Sequence, residues 1–349
     1  MKPKEHGILP PRMNIEFHYY TLHYLAKAAG FAESEAASIA ISSQLVDESI
    51  QAWEIGSKTS EITQNYVFWD RDVGNSIYRP FHFVPGVVEI AASRRKDGRP
   101  GAYVVTEDSP LAREILVAAL KTKNPYRIGI ALHAYADTWA HQNFSADDEG
   151  QNSMEGGDGP QVRGNRLSLP AVGHLHAYKN PDDPRLRWVD PRLKSPYDRV
   201  ENTTRFLGAA KMIYRFLRTY RKESFQDEAF VVEPLGQLWS SPIRQEGSAR
   251  AADYIIQFDV PPYESELWAE EAGGRPNPAL PQVKDPFSSG YSSLTWMARL
   301  VGKAGSTLGA RKGNIGPEGY EGSRFESWNK AAAAHRAFCR QLFAQRGIR

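Results

Sequence analysis

The segment IGIALHAYADTWAHQNF constrains this chain most, because it sets His133, Asp137 and His141 at steps of four within an otherwise apolar run. On an α-helix each step of four advances about 40° around the axis, so the side chains form a polar row on one face. Ile128, Ile130, Ala131, Leu132, Ala134, Ala136, Trp139 and Ala140 surround that row, which argues for a buried helix over a solvated surface row. Buried imidazoles and carboxylates are costly unless hydrogen bonds or a cation satisfy them. Metal ligation is therefore the reading the row favours.

The other histidines support it by where they fall. His6, His18, His23, His82, His133, His141, His174 and His176 lie in roughly the first half of the chain, and only His335 lies well beyond. His335, in AAAAHRAF, reads as an ordinary helix-surface or core-edge residue, and His6 sits in a terminal segment. Cys339 is the only cysteine, which excludes an intramolecular disulfide framework and a thiolate zinc site. Any metal must be held by imidazole and carboxylate; zinc suits that donor set, as do manganese, iron and nickel. The formal net charge of +2 advertises neither nucleic acid nor an anionic membrane as partner. The opening MKPKEHGILPPRMN lacks the apolar stretch of a secretory signal, and no later run approaches a membrane span. A protein cytoplasmic as made, or one exported by a dedicated secretion machine as a toxin, is the expectation.

Local patterns predict a mainly α chain. Helices are expected over residues 14–29 (Asn14 as N-cap, Gly30 as stop), 33–53, 109–121, 125–142 with Asn124-Pro125 as its start, and 199–222. Further helices are expected near 227–239, 243–256 and 325–344, with irregular chain over 56–101 and 146–165. In the helix predicted over 33–53, Asp47 sits where the apolar stripe should continue. The organisation predicted is a metal-binding helical domain over 13–225 and a C-terminal helical and loop extension over 226–349 packed on it.

LHAYADTWAHQNF resembles the zinc-binding helix of bacterial zinc-dependent phospholipase C and the related single-strand-specific zinc nucleases. FHYYTLHYLAKAAGF, Asp47 late in a second helix, and PFHFVPG match other segments of that superfamily in the same order. A closer resemblance, over residues 13 to about 220, is to an uncharacterised bacterial branch of it, which shares the Phe-His-Tyr start, the PFHFVPG loop and a Gly-His near NPDDP. The resemblance implies a multi-helix phospholipase C/nuclease-like bundle holding two or three zinc ions. It implies that Asp47, His82, His133 and Asp137 hold one ion, that Asp137 bridges to a neighbour joined by His18, and that His141 and His174 bind the remaining one. Asp47 would double as ligand and proton acceptor.

The sequence departs from that pattern in three places. Nothing supplies the amino-terminal nitrogen that completes one of the family's sites, and Glu16 is the candidate substitute. Tyr178 stands four residues after His174 where the family has a glutamate, so His176, Asp182 or Asp183 would have to replace it. The spacing to His141 is two residues shorter than in the phospholipases, which predicts a helix running on regularly where theirs breaks. His23 fits a ligand and an aromatic-packed core histidine equally well, and Glu48 fits a solvated neighbour better than a ligand. Tyr66, Trp69 and Tyr78 are candidate substrate contacts, although loop aromatics usually pack their loop down. The function implied is hydrolysis of phosphate esters, with a phospholipid as first substrate class. A single-strand nuclease or a non-catalytic metal-stabilised binding protein are the alternatives.

Overall fold

A computed structural model describes residues 14–65, 71–154, 171–177, 179–241, 247–264, 266–277 and 311–348. The first segment does not form the single α-helix that its pattern predicts. Asn14 adopts a positive φ of 39° and its carbonyl accepts the N–H groups of Phe17 and His18, so its backbone starts the helix and its side chain does not cap it. A π-helical turn, Glu16–Thr21, follows and runs into α1, Leu22–Ala28. The wider π turn rotates the side chains relative to an α spacing, and all of Glu16 to Thr21 are buried. Gly30 ends α1 at φ +90°, with Phe31 N–H reaching back to Ala26 O, as a left-handed C-cap requires.

Helix α2, Glu33–Glu48, stops short of the predicted 53. The next residues form β1, Trp53–Ile55, which turns through Gly56 into β2, Lys58–Thr59. Strand β1 also pairs in parallel with a partner far along the chain, a contact no local pattern announces. The stretch predicted as irregular over 56–101 contains α3, Arg71–Val73, a π turn, Gly74–Tyr78, and α4, Arg79–Phe81, in direct succession, then α5, Val88–Arg94. Gly74, Asn75, Ser76 and Pro80 have low helix propensity and hide that path from a sequence reading.

Two capped helices come next. Ser109 accepts the Ala112 N–H at the start of α6, Pro110–Lys121, and Asn124 accepts those of Tyr126 and Arg127 at the start of α7, Pro125–Ala140. After the ribbon of β3, Arg187–Val189, and β4, Arg199–Glu201, helix α8, Asn202–Tyr220, buries Phe206, Ala209, Ala210, Ile213 and Leu217. Then come α9, Glu228–Ser240, α10, Gly247–Phe258, and α11, Leu267–Glu271. Strands β5, Arg275–Pro276, and β6, Gly313–Ile315, complete a small sheet ordered β2-β1-β6-β5. Short α12, Pro317–Tyr320, and long α13, Arg324–Gln345, end the chain.

The protein is mainly helical, with α7 at its centre and α2, α6, α8 and α13 packed around it. One hydrophobic cluster runs from Phe17 to Phe343 and draws on both ends of the chain. A second, including Phe83, Phe144, Trp188 and Val200, lies under the loops that follow α7. Among the described residues no helix is long and apolar enough to cross a membrane.

Candidate metal centre

The site begins with the close approach of α2 to α7. A Cβ on Gly129 would lie 2.1 Å from Ile39 O and 2.7 Å from Ser42 Cβ, so only glycine allows the two backbones this near. That approach carries Asp47, at the end of α2, to His133 in the middle of α7, with Asp47 Oδ1 3.6 Å from His133 Nε2. His82, just beyond α4, adds its Nδ1 at 3.2 Å from His133 Nε2 and 3.2 Å from Asp137 Oδ2. Its other nitrogen lies 2.8 Å from Thr63 O. A carbonyl only accepts, so Nε2 carries the hydrogen and the Nδ1 lone pair of the neutral ring faces the cluster. His18, from the π turn, stacks on His133 with ring centroids 3.8 Å apart and sets Nε2 3.2 Å from Asp137 Oδ1. Asp137 is thus the hub, with His18 on one oxygen and His82 and His133 on the other.

His141 departs from the expected regular helix. Helix α7 ends at Ala140; His141 occupies its C-cap position, and Asn143 turns the chain at φ 68°. The ring donates from Nδ1 to His82 O at 2.9 Å, which leaves Nε2, 3.2 Å from Asp182 Oδ1, as the nitrogen where a cation could take the place of the proton. His174 joins from the far loop, with Nε2 3.6 Å from Asp182 Oδ2 and its ring stacked 4.6 Å from that of His141. Gly173 makes this placement possible: it adopts φ +53°, and a Cβ there would meet Phe83 Cζ at 2.6 Å. Of the residues offered beside His174, Asp182 groups with it and His141, while Asp183 pairs with Arg185 and lies near Arg250.

Among the described residues, three groups could hold metal ions: His18, His133 and Asp137; Asp47, His82 and His133; and His141, His174 and Asp182. Within each, one ligand atom per residue lies within 4.8 Å of the others. A tetrahedral ion with bonds of about 2.0–2.1 Å sets its donors about 3.3 Å apart, close to the shorter separations here. The first two groups are buried and share His133; the third is half-buried at His174 and Asp182. Burial, reinforced by nearby His18, pushes His133 down to about 3. Burial alone would raise Asp137, but His141, His133 and His18 hold it well below the usual carboxylate range. Burial likewise works against protonated His141, yet Asp137 and Asp182 keep it up at about 9. A concentration of lone pairs and carboxylates this deep in a protein matches what a divalent cation demands.

Other candidates lie elsewhere. Glu16 is outside the three groups; it pairs with Arg250 at 2.6 Å, and burial, opposed by Arg250, pushes it up to about 7. His23 is buried on another face, 3.1 Å from Glu33, and burial lowers it. His176 lies in the 3-10 turn Leu175–Ala177 outside the groups, and Glu48 accepts from Gln44 and Tyr263. Tyr78 is buried in the second cluster and donates to Asn65 O. Tyr66 and Trp69 lie outside the described residues, as do His6 and Tyr178. His335 is fully buried, contrary to its surface or core-edge reading, with Nε2 2.9 Å from Pro80 O. Thr63 and Arg250 carried no signal in the sequence, because what matters at Thr63 is its carbonyl, and Arg250 meets Glu16 only through the fold.

Residues 13–343 match a family model described as "Family of unknown function (DUF6765)". No curated protein and no solved structure matches the chain.

Proposed function

The chain belongs to the DUF6765 family, a family of unknown function, and from its site we propose that it is a metal-dependent hydrolase of phosphate esters. The observation that carries this reading is the position of Asp137, whose two oxygens serve histidines of adjoining buried groups, as a carboxylate bridging two ions would. One imidazole nitrogen serves one ion. His133 belongs to both buried groups, and the resemblance to zinc-dependent phospholipase C implies that it joins Asp47 and His82 on the first ion, with Asp137 bridging to a second taken by His18; His141, His174 and Asp182 would hold a third. Zinc suits these donors. When bound, neighbouring ions neutralise phosphoryl oxygens and lower the pKa of a water between them toward about 7.

The protein's own groups supply the rest. Asp47, with its side chain 7% exposed, is placed to accept a proton while it serves as ligand. Thr63 O and His82 O orient the rings of His82 and His141 and fix which nitrogen faces the ions. His174 and Asp182, each 13% exposed at the side chain, form the open edge from which a substrate phosphate would approach. The resemblance to zinc-dependent phospholipase C makes a phospholipid phosphodiester the first substrate class, ahead of single-stranded nucleic acid, which the near-neutral net charge of +2 disfavours.

A second reading, a metal-stabilised protein without turnover, is favoured by the burial of His18, His133 and Asp137 at 4% side-chain exposure or less. Zinc-loaded protein incubated with phosphatidylcholine vesicles, bis-p-nitrophenyl phosphate and single-stranded DNA separates the two. Chelator-sensitive hydrolysis of a phosphodiester is expected. Full metal loading with no hydrolysis of any of them would leave the second reading standing.

A further inference from the structure

Thr63 is fully buried in a segment without regular secondary structure, yet three of its atoms are committed. Its carbonyl accepts from His82 Nε2 at 2.8 Å, its hydroxyl donates to Val46 O at 2.8 Å, and its N–H donates to Ser49 O at 3.1 Å. Val46 and Ser49 flank Asp47 in sequence. One residue thus sets the ring of His82 and the end of the helix that presents Asp47.

The segment carrying Thr63 is held from one side by α13. Asn329 Oδ1 accepts the Glu61 N–H at 2.7 Å, Arg336 Nη2 donates to Ile62 O at 2.5 Å, and Arg336 Nη1 lies 2.6 Å from the Glu61 carboxylate. The same helix holds the segment carrying His82. His335 Nε2 donates to Pro80 O at 2.9 Å, and the Phe81 ring lies 5.2 Å from the His335 ring and 5.7 Å from the Arg336 guanidinium. Helix α13 therefore grips both partners of the His82–Thr63 bond, at residues one or two positions before each. A further polar anchor, Trp328 Nε1 to Ser42 O at 3.1 Å, reaches α2, the helix that bears Asp47.

We propose that α13 is the outer support of the Asp47, His82 and His133 ion site, with Asn329, His335 and Arg336 as positioning residues acting through Thr63 and His82. The C-terminal segment is then part of the metal centre's construction. The inference rests on the metal-centre reading. Partners that orient metal-bound imidazoles are worth about 10–100-fold in metal affinity, and that is the scale of effect each contact carries.

Cobalt(II) titration of the full-length protein tests it, because visible absorption reports both the affinity of the ion and its ligand geometry. His335→Met and Arg336→Met are expected to weaken one cobalt site about 10-fold or more and to alter its ligand-field bands, with the remaining cobalt unchanged. His335→Gln, whose side-chain amide can donate to Pro80 O from the same place, is expected to restore both. Thr63→Val, which removes only the hydroxyl bond to Val46 O, is expected to reproduce the loss, and Thr63→Ser to reverse it; this pair carries the test should the helix variants fail to fold. Cobalt affinity and spectra like wild type in His335→Met, Arg336→Met or Thr63→Val would overturn the inference alone, as would equal losses in His335→Met and His335→Gln. A wild-type protein that takes up no cobalt would overturn the metal-centre reading and this inference with it.

Discussion

Replacing Gly129 by alanine gives a result whose sign is informative. In the interior of an exposed helix the change from glycine to alanine stabilises by about 1 kcal/mol, since glycine loses more backbone entropy on folding. Here the new methyl would stand 2.1 Å from Ile39 O, well inside the 3.4 Å at which ordinary contact begins, and 2.7 Å from Ser42 Cβ. Both neighbours belong to α2, and the first is backbone, so the conflict is relieved only by moving the helix. Overpacking costs about 1–3 kcal/mol, and a clash with backbone this close falls in the upper part of that range, about 2–3 kcal/mol, which outweighs the propensity gain of about 1 kcal/mol and leaves a net destabilisation of about 1–2 kcal/mol. A shift of α2 by even half an ångström would also spoil the donor spacing around His133, since metal sites tolerate about 0.2 Å. Urea unfolding of the chelated protein and zinc stoichiometry of the loaded one measure the two effects separately. A Gly129→Ala protein that is as stable as wild type or more so, and binds zinc equally, would refute the argument that this glycine sets the α2–α7 distance.

Gly173→Ala is expected to lose about 1–3 kcal/mol, from the left-handed backbone and the contact with Phe83, and to lose the ion at His174 while the buried ions stay, as denaturant melts and metal analysis would show. In the chelated protein the His133 and His141 contributions to stability, taken together, should peak near pH 6.5. His141, held up at about 9, contributes stability that is fully present below 6.5 and lost as pH rises toward 9, whereas His133, pushed down to about 3, contributes stability present above 6.5 and lost as pH falls toward 3. Denaturant midpoints across that range check both limbs, and a flat profile would contradict them. Cys339 is fully buried, and burial pushes its thiol up to about 12 against the pull of Arg127, so it should ignore a thiol reagent until the protein unfolds.

What the sequence disclosed follows from how local each signal is. His133 and Asp137 on α7 and the Asn124 cap are helix-period features written within one or two turns, and they appear where the pattern put them. Asp47 was legible because a carboxylate interrupts an apolar stripe. The π turns were not, since their residue types differ little from those of an α-helix and only the burial of six consecutive side chains reveals the change. The end of α7 before His141 was misread because Ala140, His141 and Gln142 continue the helical pattern; a break with Asn143 at positive φ is set by the contact of His141 with His82 O. Asp182 could be offered only as one of several acids near His174, as choosing it requires the loop geometry that Gly173 creates. The roles of Thr63 and α13 depend on backbone carbonyls and on residues more than 250 positions apart, which no spacing rule can reach.

The most direct test of the central claim is the metal content of the protein purified without added metal, by plasma mass spectrometry, for wild type beside His133→Ala and Asp137→Ala. Two or more zinc per wild-type chain is expected, with His133→Ala losing at least one and Asp137→Ala, which removes the carboxylate shared by His18, His82 and His133, losing at least two. A wild-type chain that carries no metal and takes up none on dialysis against zinc would contradict the account, and the buried cluster would then be held by its own hydrogen bonds.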